Sequence, residues 1–464
     1  MTSAPAVSGL ASGFAGLRLR EYSRLDATGQ IYLDYTGACV YPESLLHRHL
    51  TLLAESTFGN PHSASPTSRA ATELVEETRG AILRFFNADP EEYEVVFTLN
   101  ATGALKLLGE SYPFGPSAPF ALTYDNHNSV NGIREFARGK GAEFAYIPIT
   151  DPELSIDQDA MELVLNMRGR TGGLLAFPAQ SNFSGVQHDL AWIDRAHELG
   201  WHVLLDAAAF VPTNRLDLSL YRPDFVPVSF YKMFGYPTGV GCLLLRTLAT
   251  SELTRPWFAG GTVALARACL TPCETNLGFA RQFGVAGFED GTQNFLTIPA
   301  VKFGIEYLES VGIDSIHEHV MTLASELLNG LVSLTHSNGA PLVHVYGPKS
   351  VDQRGATFAL NLFDPEGGFI HPREVEHVAS GRGISIRTGC HCNPGAGQTA
   401  LHISDEELEG VFKARPGMSR DRFALVAGAL REGAVRVSLG IASNREDVAA
   451  FIEVISEFLD RPAP

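Results

Sequence analysis

Short apolar segments alternate with segments of helical periodicity through the middle of this chain, from about residue 70 to residue 297. Residues 74–86 carry apolar side chains on one helical face, and an apolar run at 95–98 follows them. Similar strand-like runs occur at 120–124, 174–177, 202–205, 225–229 and 240–245. Strands that alternate with helices predict a mostly parallel α/β sheet, whose ligands bind at the carboxyl ends of the strands.

The pattern changes after residue 297. A helix is predicted over 299–310, and short strands are predicted at 357–362, 384–387 and 435–439 among further helices. We therefore expect a large domain at 31–297 and a smaller α+β domain at 298–464, with 31–60 able to pack against the small domain. Residues 1–30 form an N-terminal extension, and its start, rich in Ala, Ser and Gly, predicts a frayed end.

Charge and composition exclude several classes of protein. The 464 residues include 35 Lys and Arg against 52 Asp and Glu, a net charge of −17, which argues against a broad nucleic-acid surface. No apolar stretch is long enough for a membrane span, and the first residues lack the apolar core of a signal peptide. Six cysteines in so long a chain are too few for a disulfide framework, so a reducing cytoplasm is expected.

Lys232 ends an apolar run, stands between aromatic residues and is followed by Gly235. A lysine in such surroundings is desolvated, which lowers its pKa and favours a Schiff base with an aldehyde. The alternative is a lysine that reaches solvent from a strand end. Asp206 favours the first interpretation, because a buried carboxylate needs a cation such as a protonated pyridine nitrogen, and 207–209 are small enough to admit a flat ring. An aspartate that caps a turn is the alternative for Asp206.

Two other strand ends carry polar residues that suit a cofactor. The run 97–104 predicts a strand, a turn of small residues and a helix, whose free amides and dipole favour a phosphate that Thr102 could also bind. His127 follows the next strand and could stack on an aromatic ring and transfer protons. Each signal is weak alone, since many turns look alike and most loop histidines are surface residues.

The segment RTGCHCNPG at 387–395 is the most unusual in the sequence. Gly and Pro on both sides predict a mobile, exposed loop, which suits a reactive Cys392. Cys390, His391 and Cys392 could instead bind zinc, but ligands so close together rarely complete a tetrahedral set. No metal site is therefore predicted, and a purely structural loop is the other alternative.

Together, these segments resemble the class V, fold-type I enzymes that depend on pyridoxal 5′-phosphate (PLP). The similarity is to cysteine desulfurases, and above all to the aminotransferase-like domain of molybdenum cofactor sulfurases. It extends from about residue 28 to residue 456 and rests on the order of several motifs: IYLDYTG at 31–37, FGNPH at 58–62, SFYKMFGYPTG at 229–239 and RTGCHCNPG at 387–395. The resemblance implies a large domain with a seven-stranded, mostly parallel sheet and a smaller α+β domain.

The resemblance also implies roles for individual residues. Lys232 would hold PLP covalently, Asp206 would pair with the pyridine nitrogen, His127 would stack over the ring, and Asn182 would hydrogen-bond its phenolic oxygen. The phosphate would be bound by Ala101, Thr102 and Ser229, and by Thr292 across the interface of a homodimer. Arg436 and Arg387 would bind the substrate, since a guanidinium fork suits a carboxylate.

The activity that the resemblance implies is the conversion of L-cysteine to L-alanine, with the sulfur left as a persulfide on Cys392 for an acceptor protein or small molecule. Ala209 and Tyr231 stand where many desulfurases that supply iron–sulfur clusters carry glutamine and histidine, a departure that molybdenum cofactor sulfurases tolerate. The pterin-binding domain of those sulfurases has no counterpart before Pro464. Other reactions of the same scaffold, such as C–S or selenocysteine lyases, epimerases and decarboxylating enzymes, stay open, as does a non-catalytic sulfur carrier.

Overall fold

The computed structural model describes residues 6–61, 63–168, 173–268, 278–414 and 433–463. His62 of the motif at 58–62 and two of the six cysteines, Cys269 and Cys273, lie outside these ranges. None of the helices in the described ranges is long and apolar enough to cross a membrane. The helices in these ranges are Ala6–Glu21, Ser23–Ala27, Glu43–Glu55, Pro66–Phe85, Ala101–Ser111, Asn128–Asn131, Ile133–Gly139, Gln158–Arg168, Trp192–Glu198, Phe230–Phe234, Thr247–Thr250, Ile298–Val311, Ile313–Val332, Pro372–Gly381, Pro394–Ala400, Asp405–Ala414 and Arg445–Ser456.

A seven-stranded sheet forms the larger part of the molecule. Its strands lie in the spatial order Tyr93–Thr98, Gly241–Arg246, Phe225–Ser229, His202–Asp206, Leu174–Pro178, Phe120–Thr123 and Phe144–Ile147. Gly241–Arg246 runs antiparallel to both of its neighbours, and the pairs across the rest of the sheet are parallel. The predicted mostly parallel sheet is therefore confirmed, and the carboxyl ends of its parallel strands meet at one edge.

The structure differs from the predictions at one strand of the large sheet and at the N-terminal helix. The edge strand Phe144–Ile147 was missed, because only Ile147 of its four residues is fully buried and the apolar signal is weak. The prediction of a frayed beginning is wrong for the residues described, since Ala6–Glu21 is a helix. The Phe14 ring of that helix stacks on His319, with their centroids 4.0 Å apart.

A smaller antiparallel sheet lies in the C-terminal part. It comprises Val343–Val345, Thr357–Phe363, Ala434–Ser438 and Arg387–Gly389, with Phe369–Ile370 paired to the second of these. The N-terminal segment joins it, because Ile31–Tyr32 pairs in parallel with Ile384–Ser385 and Asp34 forms a bridge with Ser438. The domain boundaries at 30/31 and 297/298 stay predictions.

The apolar core lies on both faces of the large sheet and continues beneath the small one. Its strands are buried almost throughout: every residue of Leu174–Pro178 and of Phe225–Ser229 is buried. Burial of this extent fixes the register of the strands, since a shift by one residue would move each side chain to the other face. The polar residues at the strand ends are thereby held in fixed positions.

Candidate active site

A cavity opens at the carboxyl edge of the large sheet. The strand ends bring together side chains from five separate segments of the chain. The lining residues are Asn100, Ala101, Thr102, Leu105, His127, Ser129, Pro178, Gln180, Asn182, Asp206, Ala208, Ala209, Ser229, Tyr231 and Lys232. Seven of the predicted site residues therefore share one cavity: Ala101, Thr102, His127, Asn182, Asp206, Ser229 and Lys232.

Lys232 lies on the short helix Phe230–Phe234, directly after the strand Phe225–Ser229. The helix ends at Gly235. Its φ of 78° lies in a region that glycine adopts more readily than other residues, and a Cβ at this position would overlap the backbone of Cys39 and Tyr41. Burial lowers the pKa of the Lys232 amine, and the charge of Asp206 opposes that effect without cancelling it. Within the described ranges, this amine has no hydrogen-bond or ion-pair partner. It is a partly accessible amine whose neutral form is favoured.

Asp206 and His127 face the same cavity as the lysine. The buried Asp206 carboxylate accepts a hydrogen bond from the Ala208 amide through Oδ1 at 3.0 Å. His127 Nδ1 accepts from the Ser129 amide at 3.1 Å, which assigns the proton of the neutral ring to Nε2. Burial lowers the pKa of His127, against the opposing charge of Asp206, so the neutral ring is favoured.

The N-terminus of the helix Ala101–Ser111 forms another wall. Asn100 caps the helix, and its side chain accepts from the Gly103 amide at 2.9 Å. The Ala101 amide, which the resemblance assigns to a phosphate, donates to Ser229 Oγ at 2.9 Å. Thr102 Oγ1 lies 2.8 Å from Ser129 Oγ, and within the described ranges no partner accepts from the Thr102 amide. A helix N-terminus with a free amide and two hydroxyls is suited to an anion.

The cysteine loop, residues 390–393, connects the strand Arg387–Gly389 to the helix Pro394–Ala400. His391 and Cys392 have φ values of 53° and 56°, in a backbone region that residues other than glycine rarely adopt. The Cys392 carbonyl accepts from the Asn128 amide at 2.7 Å, and Asn393 Nδ2 donates to the Asp125 carbonyl at 2.6 Å. The thiol of Cys392 is exposed, as predicted, but the loop backbone is more tightly bound than its Gly and Pro residues predicted.

Asn182 connects this loop to the cavity. Its Nδ2 donates to the His391 carbonyl at 2.7 Å, and its Oδ1 accepts from Asn393 Nδ2 at 3.0 Å. Gly395 permits the approach on the other side, because a Cβ at this position would overlap the Tyr124 carbonyl. The exposed thiol is thus carried by a loop that is hydrogen-bonded to the cavity wall.

His391 provides no positive charge beside Cys392. Burial lowers the pKa of His391 well below its ordinary value of 6.5, and the charge of Arg436 lowers it further. Its Nδ1 is buried and finds no hydrogen-bond partner in the described part of the chain. The neutral form of the His391 ring is therefore favoured. Burial, with a smaller effect from Cys392, raises the pKa of Cys390.

The His391→Asn variant is expected to reduce the acid sensitivity of the fold. The unfolded chain takes up a proton on His391 near its ordinary pKa of 6.5, whereas the folded chain takes it up only at lower pH. The wild type should therefore lose stability relative to the variant as the pH falls below 6.5, by up to about 1.4 kcal/mol per pH unit. Denaturant unfolding at several pH values measures this difference. His47→Asn, at an exposed position, is the control, and parallel pH profiles for wild type and His391→Asn would contradict the assignment.

Arg436 and Arg387 meet at one carboxylate, Asp34, for which the sequence analysis gave no role. Asp34 Oδ1 accepts from Arg436 Nη2 at 2.8 Å, and Oδ2 accepts from Arg387 Nε and Nη2 at 3.0 and 2.6 Å. Arg436 Nη1 also donates to the Asn182 carbonyl at 3.0 Å. The only signal for Asp34 in the sequence was its place in the motif at 31–37.

Thr292 lies apart from this group. It is exposed, accepts from Asn60 Nδ2 at 3.3 Å and lines a separate cavity with Leu99 and Gly239. Within the described ranges, no three His, Cys, Asp or Glu side chains are arranged to hold a metal ion. The structure therefore brings the predicted lysine, acid and loop together and leaves Thr292 on the outer surface of this chain.

Curated proteins are similar in sequence to this chain along nearly its whole length. The molybdenum cofactor sulfurases of Bos taurus and Arabidopsis thaliana are 37% and 36% identical to it and cover 95% and 96% of its length. The chain spans 51% and 58% of those two proteins, about half the length of the curated relatives it matches.

The likeness extends to solved structures. The apo structure of the cysteine desulfurase from Thermococcus onnurineus NA1 superimposes with a TM-score of 0.75 at 22% identity, covering 96% of this chain and 98% of that one. This confirms the predicted fold-type I architecture, with a seven-stranded, mostly parallel sheet beside a smaller antiparallel sheet. The family model described as aminotransferase class-V matches residues 31–451. The chain belongs to the aminotransferase class-V family.

Proposed function

We propose that this chain binds PLP through Lys232 and transfers the sulfur of L-cysteine to Cys392, with L-alanine as the second product. One observation carries the proposal. A cavity that holds an unpaired amine and a buried acid is hydrogen-bonded, through Asn182, to the loop that presents an exposed thiol. The family typically binds PLP, and its relatives named above include molybdenum cofactor sulfurases.

The residues of the cavity fit PLP. The free amine of Lys232 suits an aldehyde, Asp206 suits a protonated ring nitrogen, and Ala208 and Ala209 leave space for a flat ring. The unpartnered Thr102 amide at the helix N-terminus suits a phosphate. When bound, PLP supplies an aldehyde for amines and an electron-poor ring that stabilises negative charge on the substrate carbon next to the amine.

Side chains of the protein bind the substrate and transfer its protons. Arg436 binds the carboxylate of L-cysteine, and Arg387 lies beside it. The neutral form of Lys232 that burial favours can accept the proton from the substrate α-carbon. His127 carries a proton on Nε2 beside the same cavity and can donate to the substrate.

The Cys392 thiolate then attacks the substrate sulfur. The bond between that sulfur and the substrate β-carbon breaks, a sulfur–sulfur bond forms on Cys392, and protons complete L-alanine. L-cysteine and the Cys392 thiol thus become L-alanine and a Cys392 persulfide. The exchange needs no external oxidant or reductant.

A homodimer is part of the proposal. Thr292 is exposed and shares its cavity with Leu99, a large apolar side chain that is 71% exposed. In such a dimer, Thr292 would reach the phosphate bound by the other copy. The acceptor of the persulfide sulfur, a protein or a small molecule, is not identified by these residues.

A single-turnover experiment tests the proposed function. PLP-loaded protein is mixed with L-cysteine without added reductant, and L-alanine is measured together with the mass of the peptide that contains Cys392. The proposal predicts equal amounts of L-alanine and of a one-sulfur increase on Cys392. Pyruvate, ammonia and free sulfide with unmodified Cys392 would show a C–S lyase instead, and a protein that does not bind PLP would exclude both.

A further inference from the structure

Three charged side chains form a closed cluster beside the candidate site. We call Asp34, Arg387 and Arg436 the arginine cluster. Its two guanidinium groups and single carboxylate leave a net charge of one positive unit. Arg436 and Asp34 are buried and Arg387 is half-exposed at its side chain, so the three charges are only partly screened by solvent.

The cluster adjoins both the cavity and the cysteine loop. Arg436 Nη1 donates to the carbonyl of Asn182, which lines the cavity, at 3.0 Å, and Arg387 begins the strand that leads into the loop. The charges of Arg436 and Arg387 lower the pKa of Lys232 and that of Asp34 raises it, after the larger effects of burial and Asp206. The charge of Cys392 acts in turn on Arg387, whose pKa burial lowers but contacts with Asp34 raise above its ordinary value. A substrate that extends from Lys232 to Cys392 therefore passes the cluster.

Asp34 accepts two hydrogen bonds from Arg387 and one from Arg436. It occupies Nε and Nη2 of Arg387, the edge with which a guanidinium binds a carboxylate through two bonds. It takes only one donor of Arg436, whose buried Nε has no hydrogen-bond partner among the residues that the structure describes. Because Arg436 Nη1 donates to the Asn182 carbonyl, Nε is the nitrogen of Arg436 left for an incoming carboxylate, whereas the Nε/Nη2 edge of Arg387 is already bound by Asp34.

Gly37 makes this arrangement possible. A Cβ at position 37 would lie 2.5 Å from Asp34 Oδ2 and 2.8 Å from Arg387 Nη2, so any larger residue would push the pair apart. The motif at 31–37 therefore supplies both the carboxylate and the space for its partner.

We propose that Asp34 is a specificity-determining residue that limits the site to amino acids with one carboxylate. Because Asp34 is hydrogen-bonded to the Arg387 guanidinium, that group is not available to a second carboxylate on the substrate side chain. Specificity here comes from an internal competitor, which a second carboxylate would have to displace. The inference rests on the proposed function, since it assumes that an amino acid binds between Lys232 and Cys392.

The Asp34→Asn variant tests this with two ligands that lack an amine. They are 3-mercaptopropionate, which is L-cysteine without its amino group, and succinate, which is L-aspartate without its amino group. Calorimetric titration of the PLP-loaded protein gives both dissociation constants. The wild type should favour 3-mercaptopropionate, and Asp34→Asn should shift the ratio toward succinate by about tenfold or more, because Arg387 is released and the net charge rises.

A double variant identifies the group responsible. Asp34→Asn combined with Arg387→Gln should return the ratio toward the wild-type value, because the released guanidinium is gone. An unchanged ratio in Asp34→Asn, or a shift that persists in the double variant, would overturn the proposal. If Asp34→Asn does not fold, Gly37→Ala should separate the same pair and shift the ratio in the same direction.

The test is independent of turnover. If the wild type binds both ligands but releases no L-alanine from L-cysteine, the proposed function fails while the ratio still reports on Asp34. If L-alanine is released and the ratio does not respond to Asp34→Asn, the proposed function stands and the role of Asp34 is excluded.

Discussion

Replacing Lys232 with alanine is expected to abolish covalent attachment of PLP and to lower the release of L-alanine from L-cysteine by about a thousandfold or more. Lys232 is the amine in the cavity whose neutral form burial favours, and Asp206 faces it. Its loss removes both the attachment point and the group that accepts the substrate proton. Borohydride reduction followed by peptide mass analysis measures attachment: the wild type should carry reduced cofactor on Lys232, and the variant should carry none.

Lys302→Ala is the matched control for this loss. Lys302 forms an ion pair with Glu77 at 2.6 Å on the outer surface of the helix Ile298–Val311, away from the cavity lining. Exposed pairs of this kind contribute little to stability, so attachment and L-alanine release should match the wild type. Reduced cofactor on another lysine of the Lys232→Ala protein, with L-alanine release retained, would contradict the assignment.

The buried strands could be predicted from the sequence because their apolar runs are continuous. Phe225–Ser229 was predicted with its observed bounds, and the neighbouring strands were placed within a residue or two. Since parallel strands end at one edge, their polar ends could also be expected to meet. Lys232, Asp206 and His127 share a cavity for this reason.

The contacts between the two sheets could not be predicted in the same way. Asn182 and His391 are 209 residues apart, and Asp34 and Arg436 are 402 residues apart. Apolar periodicity sets the faces of each element but carries no information on which loops meet. The resemblance assigned Asn182 to the cofactor ring and gave Asp34 no role, whereas the structure bonds Asn182 to the cysteine loop and Asp34 to both arginines.

The hydrogen bonding of the cysteine loop could not be predicted for a related reason, and its mobility stays a prediction. The glycine and proline residues around the loop predicted backbone mobility. In the structure, Gly395 permits close packing of the loop against the Tyr124 carbonyl. Asn393, the last residue of the loop, is fully buried, and its Nδ2 donates to the Asp125 carbonyl. A loop bound in this manner presents its thiol from a defined position beside the cavity, which gives the thiol a fixed starting point for attack on a substrate.

The second large effect is expected when Cys392, whose thiol is held in this position, is replaced by serine. The variant is expected to bind PLP as the wild type does and to release L-alanine from L-cysteine about a thousandfold more slowly, because a hydroxyl does not ionise near neutral pH and is a poor nucleophile toward sulfur. Serine keeps the size of the side chain, so the bond from the Asn128 amide to the carbonyl of residue 392 should remain. The near-visible absorbance of the cofactor and the L-alanine yield of one turnover measure the two properties separately.

Cys390→Ser distinguishes the two thiols of the loop. Burial raises the pKa of Cys390, which disfavours its thiolate, whereas Cys392 is exposed and its charge acts on Arg387. Cys390→Ser should therefore release L-alanine at close to the wild-type rate and gain one sulfur on Cys392. If L-alanine release instead survives in Cys392→Ser and fails in Cys390→Ser, Cys390 is the residue that attacks the substrate. If both single variants lose L-alanine release, the attack on the substrate sulfur needs both thiols, and the mass of each cysteine in the wild type after one turnover shows which of them carries the sulfur.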